Sequence, residues 1–182
     1  MPRTRPFLLA ALAALALTAS AVAQEADPAA FLPAAEDLGE GWVAIPGQEP
    51  PEYPDNPQAG AVFGGPGGAR LAVYAMMPKA DTQDDLWAGV DANFGILREW
   101  LLPNEERQPD LDAMAPPPGC ARALRVEGDE ILYQPSTAFP AGVTVCAGEA
   151  GPILTVLASG TVLGETGVAA SDAVVELLLS GE

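Results

Sequence analysis

The chain has 182 residues, a formal net charge of −17 and no histidine. A chain this acidic repels nucleic acid and anionic lipid, and its one lysine, Lys79, leaves no basic patch that would bind either. The absence of histidine excludes Ser-His-Asp and Cys-His catalysis and removes the commonest zinc ligand. Two classes of function remain: catalysis by carboxylates, and binding without catalysis.

Residues 1–23 have the pattern of a secretory signal peptide. Arg3 and Arg5 precede an uncharged apolar stretch over residues 7–17, and a small-residue Ala-x-Ala site ends at Ala23. The apolar core is about a dozen residues, short of the roughly 20 needed to cross a bilayer. We therefore predict cleavage after Ala23, with retention as a membrane anchor as the alternative. The mature protein is expected to be secreted or periplasmic, with no membrane span.

Residues 24–41 are predicted to form an N-terminal segment with two short helical turns, and residues 42–182 a single α+β domain. Proline placed just inside a turn favours helix initiation, as at Asp27-Pro28 and Leu32-Pro33. A first strand is predicted at residues 42–45. Two apolar runs within residues 59–77, separated by a glycine-rich turn, predict a pair of strands.

The clearest helix is predicted over residues 81–102. Its apolar side chains recur at spacings of three and four and share one face, namely Leu86, Val90, Phe94, Leu97 and Leu101, flanked by Trp87 and Trp100. Asp81 or Thr82 is suited to cap its start. Asp84 and Asp85 in the first turn complement the helix dipole.

The second half is predicted to contain two more strand pairs and a terminal helix. The first pair turns at Gly128-Asp129, a two-residue hairpin signal, and the second pair spans residues 142–159. The last helix covers residues 168–179, with Thr166 or Ser171 as its cap. Residues 153–158 are apolar on both sides of the strand, so we expect an antiparallel sheet with helices packed on both faces.

The order of these elements resembles the PsbP-like fold of secreted and lumenal domains. The resemblance begins at "EGW" (40–42) and continues through a strand pair, a central helix, strands carrying "VEGDEILYQ" (126–134) and a final helix. It implies an α/β/α sandwich that acts as an accessory or binding module, and the family has no shared catalytic set to transfer.

Cys120 and Cys146 are the only cysteines, and both lie in the exported part of the chain. Two thiols in a small exported domain are expected to form a disulfide. Closing a loop of about 27 residues stabilises a fold by roughly 3–4 kcal/mol in the chain-entropy model. A redox pair is the alternative, although the spacing is not Cys-x-x-Cys.

Two acidic clusters are candidate calcium sites, because calcium prefers oxygen ligands. The first is Asp81, Asp84 and Asp85 at the helix start, and the second is Glu127, Asp129 and Glu130. Neither matches the Asp-x-Asp-x-Asp-Gly loop, and helix capping suffices to explain the first. We predict no catalytic residue and no cofactor.

These observations together favour a secreted, non-catalytic binding or accessory module of the cell envelope or extracellular space. Its partner is expected to be a protein or a small ligand and not nucleic acid, and the chain is expected to be monomeric. A carboxylate-dependent extracellular hydrolase and a weak calcium-binding domain are the alternative functions.

Overall fold

A computed structural model of the chain describes residues 27–47, 57–78, 83–101, 115–132, 138–148 and 151–180. For residues 93–101, 128–132 and 138–141 it describes the backbone alone. The predicted signal peptide, residues 1–23, and the two candidate helix caps Asp81 and Thr82 lie outside the described residues.

The described ranges contain eight strands and two α-helices. In chain order these are β1 (Val43–Ala44), β2 (Gln58–Gly64), β3 (Arg70–Met76), α1 (Gln83–Leu101), β4 (Cys120–Leu132), β5 (Ala138–Gly148), β6 (Ile153–Ser159), β7 (Thr161–Val162), β8 (Glu165–Thr166) and α2 (Gly167–Ser180). Short 3-10 helices occupy Pro28–Phe31, Ala35–Leu38 and Pro66–Gly68. The sequence therefore predicted both long helices and both glycine-containing strand pairs, β2–β3 and β5–β6.

Six strands form one antiparallel sheet in the order β1-β2-β3-β6-β5-β4, and β7 and β8 form a separate two-stranded ribbon. The predicted α+β class, an antiparallel sheet with helices packed on it, is confirmed. Because β6 returns to pair with β3, the second half of the chain extends the sheet begun by the first half.

The sheet carries a separate apolar cluster on each face, because successive side chains of a strand point to opposite sides. On one face Leu154 and Val156 pack with α2 through Val174 and Val175. On the other face Ile153, Leu157 and their neighbours pack with α1, whose most buried described side chain is Trp87. The expectation that both faces are covered is confirmed, and we call the two sides the α2 face and the α1 face.

The N-terminal segment packs on the α2 face. The Asp27 carboxylate accepts a hydrogen bond from the Ala29 amide at 3.0 Å and so caps the first 3-10 turn. Leu38 is buried in the cluster below α2, and Phe31 and Leu32 pack against that cluster. The segment therefore contributes side chains to the domain core.

Helix α2 begins in direct backbone contact with the sheet. A Cβ built on Gly142 would lie 2.0 Å from the carbonyl carbon of Gly167, the first residue of α2. Only glycine fits at residue 142 without displacing the helix. This contact fixes the height of the helix start above β5.

Two details of the sequence-based prediction are wrong. The chain does not turn at Gly128-Asp129, because β4 continues to Leu132 and pairs with β5 on both sides of that dipeptide. An irregularity in register between Gly128 and Ile131 accommodates the dipeptide instead, so pairing with β5 outweighs the local turn signal. Ser171 is not a cap: it lies inside α2, where its hydroxyl faces the carbonyl oxygen of Val168.

The two-stranded ribbon β7–β8 was not predicted from the sequence. In the part of the chain that the structure describes, no helix is both long enough and apolar enough to cross a bilayer.

Candidate functional site

The described residues contain one buried polar cluster, between the β4–β5 pair and α2. Arg125 of β4 and Thr144 of β5 are direct register partners. Both lie on the α2 face, where Ser171 and Asp172 of α2 meet them. The four side chains together are named the buried network below.

The carboxylate of Asp172 is the acceptor at the centre of the buried network. Arg125 Nε lies 2.9 Å from Asp172 Oδ2 and 3.1 Å from Oδ1. A second guanidinium nitrogen, Nη2, donates to the carbonyl oxygen of Ala115 at 2.7 Å. Arg125 of β4 thus bonds both to α2, through Asp172, and to the segment that precedes β4, through Ala115.

Two hydroxyl groups extend the buried network below the helix. Thr144 Oγ1 donates to Asp172 Oδ1 at 2.6 Å, and Thr144 Oγ1 lies 2.6 Å from Ser171 Oγ. The single hydroxyl proton of Thr144 is directed to the carboxylate, which only accepts, and the single hydroxyl proton of Ser171 is directed to the carbonyl oxygen of Val168. The Ser171 hydroxyl also lies 2.9 Å from the carbonyl oxygen of Val168.

Burial closes the buried network to substrates. Thr144 and Ser171 have no exposed surface, and Arg125 is 3% exposed. Each hydroxyl is engaged by a neighbour, and no histidine exists in the chain to act as a base. A nucleophile must reach its substrate, and the hydroxyls of Thr144 and Ser171 have no exposed surface, so this arrangement is suited to orienting α2.

A second ion pair joins α1 to β4 at the surface. Arg122 contacts the carboxylate of Asp84, and its guanidinium carbon lies 5.7 Å from the ring centroid of Trp87. The two charged side chains are 49% and 86% exposed, so solvent screens their attraction. The Trp87 contact places a cation over an aromatic face, which adds to the packing of α1.

The candidate calcium ligands are only partly placed by the structure. Asp84 contacts Arg122, Asp85 is exposed in the first turn of α1, and Asp81 lies outside the described residues. In the second cluster, an exposed Glu127 packs against Gly167 at the start of α2. The side chains of Asp129 and Glu130 lie outside the description. Among the described residues no three potential metal ligands come together.

The predicted disulfide between Cys120 and Cys146 is confirmed. It joins β4 to β5 across 26 positions of sequence, with the two Cα atoms 5.6 Å apart. Both residues are buried on the α2 face. The bridge therefore holds the outer strand of the sheet to its neighbour at one end, while the Arg125–Thr144 pair lies further along the same two strands.

Sequence reasoning did not identify the buried network. It predicted that Arg125 lies on the other face of β4 from Leu124 and Val126, which is correct. The same alternation is equally typical of an arginine that faces solvent. The available signal was Asp172, an acidic residue in the otherwise uncharged first half of the terminal helix. A charge there needs a partner on the facing strand, and the sequence alone did not say which strand faces the helix.

Comparison with known proteins adds no further identification. No protein-family model, no curated protein and no solved structure matches this chain.

Proposed function

We propose that the protein is an exported, non-catalytic module that binds a protein or a small ligand in the cell envelope or extracellular space. The observation that carries this proposal is the closure of the buried network. The polar groups of that network are oriented by one another, and Arg125, Thr144 and Ser171 are buried, as expected of side chains that hold a scaffold rigid.

The disulfide supports the proposed location. Disulfides persist in oxidising compartments and are rare in the reducing cytosol. The bridge between Cys120 and Cys146 is buried, which suits a structural role over a reactive one. Together with the signal-peptide pattern of residues 1–23, it favours export.

The distribution of carboxylates argues against the alternative of a hydrolase. A glycosidase of this kind needs two carboxyl groups held together in a cleft. Among the acidic side chains that the structure describes, Asp172 alone is partly buried, and Arg125 and Thr144 occupy its oxygens. The remaining described carboxylates are exposed.

The layout also supports the proposed relation to PsbP-like domains. Helices lie on both faces of the sheet, and the strand pair, central helix, further strands and final helix follow one another in the order on which the resemblance rests. An accessory or binding role follows from that resemblance as a proposal and not from the fold alone.

A turnover assay on the mature, oxidised protein tests the proposal. Chromogenic glycosides, esters and phosphate esters are incubated with the wild type and with Asp172→Asn, and we expect neither to exceed the rate of the buffer blank. Turnover by the wild type that Asp172→Asn abolishes, with the far-UV spectrum unchanged, would contradict the proposal. Thermal melting with calcium and with chelator runs in parallel, and an unchanged melting temperature is the result expected of a module that needs no calcium.

A further inference from the structure

One row of residues crosses the sheet on the α1 face at the end where β6 finishes. Direct register partners place it in the order Val43, Gly64, Arg70, Ser159 and Ala141, on β1, β2, β3, β6 and β5. We call these five residues the terminal row. It adjoins the apolar cluster of the α1 face, because Val62, Ala72 and Leu157 lie two residues further along their strands.

Arg70 carries the positive charge of this row, and its guanidinium forms no ion pair with a described residue. Arg122 and Arg125 each form an ion pair with an aspartate. Among the arginines whose side chains the structure describes, Arg70 alone has no ion pair or hydrogen bond of its side chain, and it is exposed. In a chain of net charge −17, an unpaired guanidinium is a local positive site surrounded by a negative background.

Ser159 supplies a second polar group directly opposite Arg70. It is only 5% exposed, yet its hydroxyl has no hydrogen-bond partner among the residues that the structure describes. Buried hydroxyl groups are nearly always hydrogen-bonded, so an unpaired one marks a position where a further polar atom belongs. Directly opposed residues in an antiparallel pair have Cβ atoms roughly 4.5–5.5 Å apart, which lets one small ligand group reach both side chains.

The neighbours of this pair on β2 and β1 offer apolar surface, and the Ile45 side chain lies beside Gly64. Gly64, next to Arg70, has no side chain, and a Cβ built there would lie 3.6 Å from the Cδ1 atom of Ile45. Val43, next in the row, is 61% exposed and is the most exposed large hydrophobic residue among those described. The terminal row thus runs from a polar pair, across a glycine, to an apolar side chain.

We propose that the terminal row binds a monocarboxylate with a short apolar group. The planar guanidinium of Arg70 accepts the carboxylate through two parallel N–H donors, a geometry that arginine matches better than lysine. The hydroxyl of Ser159 donates to one carboxylate oxygen. The apolar group lies against the exposed side chain of Val43 and the edge of Ile45. This inference rests on the proposed binding function and names its ligand class.

Two sources present this chemistry, a free short-chain acid and the C-terminal residue of a peptide. Calorimetric titration of the mature, oxidised protein uses hexanoate for the first and N-acetyl-leucine for the second. N-acetyl-leucinamide, which lacks the carboxylate, and inorganic phosphate are the ligand controls. The variants are Arg70→Gln and Ser159→Ala, and Arg122→Gln is the matched control because it removes the same charge from the same face at the far end of the sheet.

We expect saturable binding of hexanoate or N-acetyl-leucine and none of the amide, and the tighter of the two acids identifies the source. Arg70→Gln is expected to weaken binding at least roughly tenfold and Ser159→Ala roughly three- to tenfold, since each removes a hydrogen bond to a charged group. Arg122→Gln is expected to leave the affinity within about twofold, because its guanidinium lies outside the site.

Three results would overturn the proposal. These are no saturable binding of either acid, equal weakening by Arg70→Gln and Arg122→Gln, or equal displacement by phosphate and chloride, which means an adventitious ion only. If neither acid binds and the turnover assay is also negative, the ligand class is wrong and the binding role stands. Wild-type turnover that Asp172→Asn abolishes contradicts the binding role itself, whatever the titration shows.

Discussion

Replacing Asp172 by asparagine tests whether the buried network holds α2 on the sheet. Asparagine has nearly the same shape, so the change removes the charge and leaves the packing. Arg125 then keeps a positive charge at 3% exposure without the Asp172 carboxylate, and the asparagine places an NH₂ donor where a second carboxylate oxygen accepted from Arg125.

The expected loss of stability follows from the burial of the pair. Breaking a buried ion pair by removing one partner costs about 3–5 kcal/mol. The Asp172 side chain is 22% exposed against 2% for Arg125, so water relieves part of that cost. We expect Asp172→Asn to lower the free energy of unfolding by about 3 kcal/mol.

Asp84→Asn is the matched control, because the same chemical change is made in the exposed pair with Arg122. Pairs this exposed contribute about 0–1 kcal/mol, so Asp84→Asn is expected to cost less than about 1 kcal/mol. Urea denaturation of the oxidised protein, at two salt concentrations, measures both. The cost of Asp84→Asn is expected to fall with salt, whereas that of Asp172→Asn persists. Equal costs below 1 kcal/mol for the two variants would refute the structural role assigned to the buried network.

Three further changes test other contacts by the same denaturation measurement. Replacing Cys120 and Cys146 together by alanine should lower stability by roughly 3–4 kcal/mol, and no loss would mean that the bridge does not constrain the unfolded chain. Gly142→Ala should cost about 2–3 kcal/mol, because the new Cβ would collide with the backbone of α2. Its control, Gly89→Ala in α1, meets no atom within 4 Å and should instead gain about 0.5–1 kcal/mol, so similar effects would contradict the close approach. Leu163 has φ +50° at the tip of the β7–β8 ribbon, and Leu163→Asn should stabilise by about 0.5–1 kcal/mol, whereas a loss would indicate that the leucine side chain makes a needed contact.

The elements that the sequence predicted well are those with strong local patterns. Alternation of apolar residues around the glycine-rich turn predicted β2 and β3, and the three- and four-residue spacing predicted α1. The disulfide followed from the number of cysteines and the predicted export of the chain. Each of these signals is contained within a short stretch of chain or in the composition.

The features that the sequence did not predict depend on contacts between distant residues. The Gly128-Asp129 pair has the local signature of a turn, but β4 gains more by continuing along β5. Arg125 and Asp172 are 47 positions apart, and neither residue alone indicates that the other faces it. In the sequence, Ser159 is an ordinary serine at the end of a strand. It becomes the register partner of Arg70 only because β3 pairs with β6.

Native mass spectrometry of the protein recovered from its own exported fraction tests the central claim most directly. The claim predicts a chain that begins at Gln24, with two hydrogens fewer than the reduced form, together with a bound mass that Arg70→Gln removes. A protein that keeps residues 1–23, has free thiols or is absent from the exported fraction would contradict it.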